Sequence, residues 1–410
     1  MQIQVSCPIN IALLKYWGKS DNLNIYPLTP SISLTLNQSQ VGTITTVSIS
    51  SELKKAHFKL NGKAKKFPSR LLDVLIIAQL RARLSGKTIV SPFVSLESNN
   101  NFPTAAGLAS SASGTAAFAF ALGKLYGLDG DFTDFSRRGS GSSCRSLSGG
   151  CVYWSTDRTD YNSHSCVQQL FPASHWPELK LLICITNDQC KPIGSTSAMQ
   201  NCIETSDLFR NSRLQSSKHH EMKIIDALKS RDFSALAEAT MRESNQLHAV
   251  CLDTWPPCVY LNHISQCLME FVHQINKHFM KTVVAYTFDA GPNAFLLVEV
   301  NNIPIILSYL IECFGCTPPP PSPPLPSTTT PPVAEASSDS VKSNQSEKQL
   351  KVTGISYTPS SDPLDAELLK KLPKAPGGIL YVISTEVSCE LKYLFFFQVL
   401  VSLDGFCLID

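Results

Sequence analysis

The segment from Pro103 to Gly114 (PTAAGLASSASG) combines small side chains with hydroxyls, and it lies between a short strand pattern and an Ala-rich helix pattern. Small residues let a backbone approach a ligand closely, and the unpaired N–H groups at a helix start favour a phosphate. The segment matches neither the P-loop nor the Rossmann glycine pattern. It predicts an anion-binding loop, although a tight helix–sheet packing contact would have a similar composition.

A second segment, Asn10 to Lys19 (NIALLKYWGK), places two lysines four residues apart with Tyr16 and Trp17 between them. Cations beside amphipathic rings suit a charged ligand that also carries an apolar group. The alternative is an ordinary strand end with solvated lysines.

The third segment, Arg137 to Gly150 (RRGSGSSCRSLSGG), contains three arginines, Arg137, Arg138 and Arg145, with alternating glycine and serine between them. Its backbone amides and hydroxyls can face a ligand, and Arg145 can hold a carboxylate or a phosphate by two parallel hydrogen bonds. A flexible linker would have a similar composition. Because the chain then enters an apolar strand pattern at Cys151, the segment favours a binding site.

Asp289 ends an apolar strand pattern and precedes a Gly-Pro-Asn turn. A carboxylate at this position can cap the turn. Opposite a cluster of lysines and arginines it can instead be a catalytic group with a low pKa. The sequence leaves these two interpretations open.

Composition narrows the classes of function. The chain has 410 residues, with 35 basic and 33 acidic side chains and a formal net charge of +2. Such a balance indicates neither a nucleic-acid partner nor an anionic membrane surface. The longest apolar run, residues 394–403, is about half of a membrane span. Fourteen cysteines without regular spacing, and no signal-peptide pattern, predict buried thiols in the cytoplasm.

No metal site is predicted from the protein's own side chains. The run His219-His220-Glu221 lacks the HExxH spacing of a zinc site and is typical of a solvated helix start.

The periodicity of apolar residues predicts the elements that position these segments. Strands are predicted at 41–49, 57–60, 93–96, 179–186, 282–288 and 294–300, with an Asn-Gly hairpin turn at 61–62. Helices are predicted at 70–84, with leucines and Ile76 on its apolar face, and at 116–126, 223–246 and 261–277. Nine of the 26 prolines lie between Pro318 and Pro332, so residues 317–350 are predicted to be a disordered, solvated insertion.

Together the motifs resemble the mevalonate diphosphate decarboxylase family of the GHMP kinase superfamily. The matching stretches are NIALLKYWGK at 10–19, NNFPTAAGLASSASG at 100–114, SHWPEL at 174–179, CLDTWPP at 251–257 and AYTFDAGPNA at 285–294, together with RRGSGSSCRSL at 137–147. The Ala/Ser-rich loop is common to the superfamily, whereas KYWGK and GSGSxCR are more particular to the decarboxylases. The likeness covers about residues 3–315 and resumes weakly over 351–387. Thr29-Pro30 departs from it, because the family usually has Asn-Ser there.

The resemblance implies an α+β, two-domain GHMP-kinase-like fold with the active-site cleft between the domains. The first domain is expected at 1–187 and the second at 188–410, interrupted by the insertion at 317–350. The implied reaction is the ATP-dependent conversion of (R)-5-diphosphomevalonate to isopentenyl diphosphate, ADP, phosphate and CO2, with Mg²⁺ as a cofactor. The resemblance also implies a homodimer.

Roles follow from the matching positions. Asp289 resembles the catalytic carboxylate, Arg145 the residue that holds the substrate's C1 carboxylate, and Asn10 the residue that orients Arg145. Lys15 is expected close to the reacting groups. Residues implied to contact diphosphomevalonate are Tyr16, Trp17, Gly18, Lys19, Arg70, Ser140, Gly141, Ser142, Ser143, Cys144, Arg145 and Thr196. Residues implied to bind ATP are Asn100, Pro103, Ala106, Gly107, Leu108, Ser110 and Ser111.

Two other functions remain open at this point. One is a GHMP-type small-molecule kinase that stops after phosphoryl transfer. The other is a non-catalytic binding protein that recruits partners through its Pro-rich segment. Arg145 favours the decarboxylase over the kinase, because a kinase has no carboxylate to hold for expulsion. The presence of Asp289, Lys15 and Ser111 disfavours the binding protein.

Overall fold

A computed structural model describes residues 1–104, 107–108, 110–156, 167–191, 193–316 and 348–388. The strands within these residues are β1 (Gln2–Pro8), β2 (Asn10–Leu14), β3 (Lys19–Asp21), β4 (Tyr26–Pro27), β5 (Ser31–Thr35), β6 (Gly42–Ser48), β7 (His57–Leu60), β8 (Lys63–Lys65), β9 (Ser95–Asn100), β10 (Cys151–Trp154), β11 (Val167–Phe171), β12 (Leu179–Ile185), β13 (Val284–Phe288), β14 (Ala294–Glu299), β15 (Val352–Gly354) and β16 (Tyr381–Glu386). The α-helices are α1 (Ser69–Leu84), α2 (Ser110–Leu125), α3 (Thr133–Gly139), α4 (Ser195–Thr205), α5 (Leu214–Ser230), α6 (Phe233–Leu252), α7 (His263–His278), α8 (Ile303–Phe314) and α9 (Ala366–Lys371).

The N-terminal half contains two main sheets. One has the strand order β1-β6-β9-β7-β8 and the other β11-β10-β5-β2. Helix α2 packs on the first sheet, and its run of alanines and phenylalanines is almost completely buried there. Alanines let the helix lie close to the strands. The start of α2, where Ser110 and Ser111 lie, is therefore fixed against the sheet.

The C-terminal half is built on one sheet with the order β13-β14-β12-β16-β15. Helices α7, α8 and α9 pack on one face of it. On the other face, α5 and α6 share a core with strands β2 and β5 of the N-terminal half. This common core includes Leu13, Ile32, Ile183 and Leu236, all buried. It holds β2 and β13 in a fixed relation, although they are far apart in sequence.

The hairpin predicted at 61–62 is confirmed. Strands β7 and β8 pair antiparallel, and both turn residues have positive φ, 49° at Asn61 and 73° at Gly62. This is the conformation that a two-residue Asn-Gly turn favours.

The single helix predicted over 223–246 is wrong, because α5 ends at Ser230 and α6 begins at Phe233. Arg231 adopts the left-handed conformation with φ of 55°. The Asp232 side chain then accepts the Ala235 N–H at 3.0 Å and caps α6. Apolar periodicity continues across the break, so the Asp cap was the only sequence signal for it.

Helix α1 is confirmed at Ser69–Leu84, but its predicted apolar face is partly wrong. Leu72, Ile76 and Leu80 are 37%, 60% and 55% exposed, while Val74, Leu75 and Ala78 are buried. The buried residues are those on the face that packs against α2 and α3.

Strand β12 pairs with β14 and β16 in the C-terminal sheet. The division at 187/188 places this strand in the first domain, and the position of the boundary stays a prediction. Within the described residues, no helix is long and apolar enough to cross a bilayer. Of the insertion predicted at 317–350, residues 317–347 lie outside the described residues, as does the tail from 389 onward. The prediction of disorder is wrong for residues 348–350, because Gln349 pairs with the Cys316 backbone and Lys348 forms an ion pair with Glu312.

We expect deletion of 318–347 to change the free energy of unfolding by less than about 2 kcal/mol, because each doubling of a loop costs about 0.6 kcal/mol. The two ends are joined directly: the Cys316 and Gln349 backbones exchange hydrogen bonds of 3.0 and 2.8 Å. Denaturant unfolding measures the change. As a control, a deletion extended through Leu350 also removes this bridge and the 2.7 Å Lys348–Glu312 ion pair, and should destabilise more. Equal, large losses for both deletions would contradict the expectation.

Candidate active site

A cavity of about 300 Å³ lies between the two halves of the chain. The segments that meet there include the residues that follow β2, the start of α2, the 3₁₀ helix Gly141–Leu147, the start of α4, and the turn after β13. Both halves contribute, so the cavity forms only in the folded chain.

An ion pair joins Lys15 to Asp289 in this cavity. The Lys15 Nζ lies 2.6 Å from Asp289 Oδ1, and the side chains are 2% and 24% exposed. Each residue directly follows a completely buried strand, β2 or β13. Burial lowers the pKa of Lys15, and Asp289 opposes that shift. The Asp289 carboxylate is thus the accessible member of the pair, while its backbone carbonyl accepts the turn-closing Gly291 N–H.

Arg145 lies on the 3₁₀ helix and is 3% exposed. Its Nε and Nη2 donate to Asn10 Oδ1 at 3.2 and 3.0 Å, and its Nη1 donates to Ser31 Oγ at 2.7 Å. The Asn10 amide in turn donates to the Ser142 carbonyl and the Ser146 hydroxyl. Asn10 therefore presents its oxygen to Arg145, a contact that fits the orienting role implied by the family resemblance. Two of the five guanidinium N–H groups remain for a ligand.

A cation cluster, formed by Lys19 and Arg70, lines another part of the cavity. Arg137 and Arg138 lie in α3 and do not line the cavity. Within the described residues, Lys19 Nζ, Arg137 Nη1 and Arg138 Nε are buried without a hydrogen-bond partner, as is the Tyr16 hydroxyl. Burial and the charge of Arg70 lower the pKa of Lys19 to about 8. Burying unpaired cations is unfavourable, so this cluster is suited to a highly charged anion.

The Ala/Ser-rich segment lies at the start of α2, a helix of 16 residues. Gly107 has φ of +85°, and a Cβ there would lie 2.7 Å from the Gly291 Cα. Only glycine lets this loop lie against the turn that follows Asp289. The Ser111 hydroxyl lies 3.3 Å from the Ser140 hydroxyl, which joins the loop to the Arg145 segment.

The chain matches two family models. Residues 7–167 match the diphosphomevalonate decarboxylase-like N-terminal domain, and residues 181–389 match the mevalonate 5-diphosphate decarboxylase C-terminal domain. The diphosphomevalonate decarboxylase of Rattus norvegicus is 37% identical, over 94% of this chain and 92% of the rat protein. The chain belongs to the diphosphomevalonate decarboxylase family. The resemblance found in the motifs is confirmed.

Other members of the decarboxylase family are also similar to this chain in sequence and in structure. The diphosphomevalonate decarboxylase of Bos taurus is 38% identical, over 94% of this chain and 92% of the bovine protein. A solved structure of mevalonate diphosphate decarboxylase from Trypanosoma brucei superposes with a TM-score of 0.77 at 29% identity, covering 98% of this chain and 100% of that chain. The predicted α+β, two-domain GHMP-kinase-like fold is therefore confirmed.

Most of the residues that the decarboxylase resemblance singled out line the cavity. These are Lys15, Tyr16, Trp17, Lys19, Arg70, Gly107, Leu108, Ser110, Ser111, Ser140, Gly141, Ser142, Arg145, Thr196 and Asp289. The contacts that each makes with substrate or nucleotide stay predictions.

The remaining predicted residues do not line the cavity, apart from Ala106, which lies outside the described residues. They are Asn10, Gly18, Asn100, Pro103, Ser143 and Cys144. Asn10 contacts the Arg145 guanidinium instead of the cavity. Ser143 bonds to Ser136 at 2.7 Å, and the buried Cys144 thiol donates to the Gly141 carbonyl at 3.0 Å. These two side chains hold the shape of the 3₁₀ helix that carries Arg145.

Sequence reasoning missed Lys191, which lines the cavity. Its Nζ donates to Ser195 Oγ at 2.7 Å, next to Thr196 at the start of α4. Burial lowers the pKa of Lys191, and Asp289 opposes the shift. The signal was present as a lysine just before Gly-Ser-Thr at a helix start, but no apolar pattern marks α4 clearly.

The described residues contain no group of three or more His, Cys, Asp or Glu side chains that could hold a metal ion. A magnesium ion at this decarboxylase site would take most of its ligands from phosphates and water, as it commonly does. The loop at Gly107 and the two serines that open α2 fit a nucleotide triphosphate, because they present a close backbone, hydroxyls and a helix N-terminus.

Proposed function

We propose that this protein decarboxylates (R)-5-diphosphomevalonate in an ATP-dependent reaction that yields isopentenyl diphosphate, ADP, phosphate and CO2. The observation that carries the proposal is that one cavity holds both an accessible carboxylate, Asp289, paired with Lys15, and a buried guanidinium, Arg145, oriented by Asn10. The first pair suits activation of a hydroxyl group, and the second suits the grip of a carboxylate.

Asp289 accepts the proton of the tertiary C3 hydroxyl as that oxygen takes the phosphoryl group. Lys15 fixes the orientation of Asp289, and as a nearby cation it also favours the negative charge of the transferred group. Phosphorylation turns hydroxide, a poor leaving group, into phosphate. When phosphate leaves, positive charge develops at C3. The C1–C2 bond then breaks, its electrons form the C2=C3 double bond, and CO2 departs.

Arg145 holds the C1 carboxylate through its two remaining N–H groups. That carboxylate must stay ionised until CO2 leaves, and a buried guanidinium keeps its charge at any physiological pH. Because Asn10 and Ser31 fix the other N–H groups of Arg145, the plane of the bound carboxylate is fixed too.

The cation cluster of Lys19 and Arg70 holds the substrate's diphosphate, and the Gly107 loop with Ser110 and Ser111 holds the phosphates of ATP. A solved family structure is described as MDDEF in complex with MVAPP, AMPPCP and magnesium, which supports ATP and Mg²⁺ as ligands here. When bound, Mg²⁺ supplies charge neutralisation for the nucleotide phosphates.

We expect kcat/KM for diphosphomevalonate to fall as the pH rises above about 8. Lys19, with a pKa of about 8, is charged below that pH in the free protein and neutral above it, so its attraction for diphosphate is lost on the alkaline side. The inflection should disappear in Lys19→Arg, since arginine stays protonated. Lys63→Arg, on exposed strand β8, is the control. A pH profile of Lys19→Arg that matches the parent would contradict this role.

The test of the function supplies Mg·ATP and diphosphomevalonate to the purified protein and measures ADP and CO2. We expect equal amounts of both. ADP without CO2 would instead identify a kinase that stops at phosphoryl transfer, and neither product would point to a binding protein.

We further propose a homodimer in the cytoplasm. The dimer is the state implied by the family resemblance. The free cysteines among the described residues, most of them buried, support a reducing compartment. Light scattering of the purified protein measures the subunit number, and a monomeric mass would refute the dimer.

A further inference from the structure

A completely buried ion pair lies behind Lys15 on the side away from the cavity. Arg213 and Glu243 both have side chains that are 0% exposed. Arg213 Nη1 lies 2.6 Å from Glu243 Oε1, and Nη2 lies 2.8 Å from Oε2, a bidentate pair. Arg213 ends the π-helical turn Phe209–Arg213, and Glu243 lies in α6. Such a pair adds little stability, because both charges lose their hydration. A contribution to stability therefore does not explain why the pair is present.

The pair holds both backbone polar groups of Lys15. Glu243 Oε2 accepts the Lys15 N–H at 3.0 Å. Arg213 Nη2 donates to the Lys15 carbonyl at 2.8 Å. His220 also contacts Glu243 through Nδ1. Although burial alone would raise the pKa of Glu243, Arg213 and His220 hold it at about 2, so the carboxylate is ionised.

Thr29 secures the same short segment from the other side. Its hydroxyl accepts the Trp17 N–H at 2.9 Å and lies 3.1 Å from the Lys15 carbonyl and 3.2 Å from the Trp17 carbonyl. Thr29 is completely buried. Thr29 is also a residue at which the sequence departs from the usual family pattern. In the structure its hydroxyl contacts the backbone of Lys15 and Trp17.

Lys15 needs these contacts because the sheet does not provide them. Strand β2 is the edge strand of its sheet, its pairing with β5 is irregular between Ala12 and Leu14, and it ends at Leu14. Backbone groups buried beyond the strand end would otherwise lack partners. Three side chains from three separate segments take the place of the missing strand.

We propose that Arg213, Glu243 and Thr29 are positioning residues, which fix the Lys15 backbone so that its ammonium meets Asp289. None of the three lines the cavity, so they act through Lys15. A long lysine side chain has several rotatable bonds, so only a fixed backbone confines its ammonium to one position. The inference rests on the proposed function, since the Lys15–Asp289 pair matters only if it takes part in the reaction.

The test is the double variant Arg213→Met/Glu243→Leu. Apolar residues of similar volume can replace a buried ion pair without loss of folding, but they make no hydrogen bond to Lys15. We expect kcat to fall about 10- to 100-fold. KM for diphosphomevalonate and for ATP should change by less than about threefold, because the diphosphate and triphosphate sites are untouched. Circular dichroism and the melting temperature show that the measured enzyme is folded.

The matched control is Lys180→Met/Glu386→Leu. This pair has the same 2.6 Å contact and joins strands β12 and β16 of the same half, but neither residue lines the cavity. It should keep the parent kcat. If both double variants keep kcat, or both lose it equally, Arg213 and Glu243 are structural only and the proposal is wrong.

Variants at Thr29 provide a second test in case the double variant does not fold. Thr29→Val keeps the shape and removes the hydroxyl, whereas Thr29→Ser keeps the hydroxyl. We expect kcat to fall severalfold in Thr29→Val and to be restored in Thr29→Ser, again with little change in KM. Equal kcat in the two variants would overturn the proposal. If the parent protein releases no CO2 with ADP, the proposed function fails instead, so the two failures are distinguishable.

Discussion

Replacing Asp289 by Asn should lower kcat about 100- to 10,000-fold, the usual contribution of a general base. Asn keeps the shape of the side chain but neither accepts the hydroxyl proton nor balances the charge of Lys15, whose Nζ lies 2.6 Å away. Binding of ATP and of diphosphomevalonate should remain, since the cation cluster and the Gly107 loop are elsewhere in the cavity.

Steady-state kinetics with equilibrium binding of both ligands measures this effect. Asp188→Asn is the control, because Asp188 also lies shortly after a strand of the same sheet, β12, yet it is exposed and does not line the cavity. A variant that keeps more than about a tenth of the parent kcat, equivalent to a barrier change below about 1.4 kcal/mol, would remove Asp289 from the mechanism.

Individual strands and turns of this chain could be predicted from the sequence where a single local pattern determines the structure. The Asn61-Gly62 hairpin follows from turn chemistry, and strands β12 to β14 follow from apolar runs bounded by polar residues. The break between α5 and α6 could not be predicted in this way. Arg231 adopts the left-handed conformation there, and this conformation at a helix end is usually taken by glycine.

The site itself could be predicted only through the family resemblance. Lys15 and Asp289 are 274 positions apart, and no periodicity relates them. The same holds for Lys15 and Glu243, which are 228 positions apart. The resemblance supplied the first pair because both residues lie in motifs that face the cavity. It did not supply Glu243 or Arg213, because a residue that holds another residue's backbone has no recognisable motif.

Thr29 shows what the resemblance leaves open. As a departure from the family pattern, it marked a position where contacts could not be carried over. The structure shows that a hydroxyl there reaches two backbone carbonyls and one N–H group. A departure from a motif is thus compatible with an intact site when the new side chain can make equivalent hydrogen bonds.

Arg145 should matter as much to the chemistry as to substrate binding. Arg145→Lys keeps a positive charge but loses the planar fork of N–H groups that holds a carboxylate in one plane. In addition, a single ammonium group cannot reach both Asn10 and Ser31 as the guanidinium does. We expect kcat to fall about 100-fold or more, while the affinity for ATP stays within about threefold. Arg145→Gln should be worse, because the substrate carboxylate would then be buried without a cation.

The two Arg145 variants separate the subsites of the cavity. The C1 carboxylate must stay oriented until CO2 leaves, so losing the fork should slow release of CO2 more than formation of ADP. The measurement is therefore the ratio of CO2 to ADP in a single turnover, together with kcat and the affinity for each ligand. Arg81→Lys is the control for the substitution itself, because Arg81 lies in the last turn of α1, pairs with Asp134 and does not line the cavity. If kcat survives in Arg145→Lys, or if only nucleotide binding collapses, then Arg145 serves the phosphates of ATP. The carboxylate would in that case need another cation, and Lys191, which lines the same cavity and lies near Asp289, would be the residue to replace next.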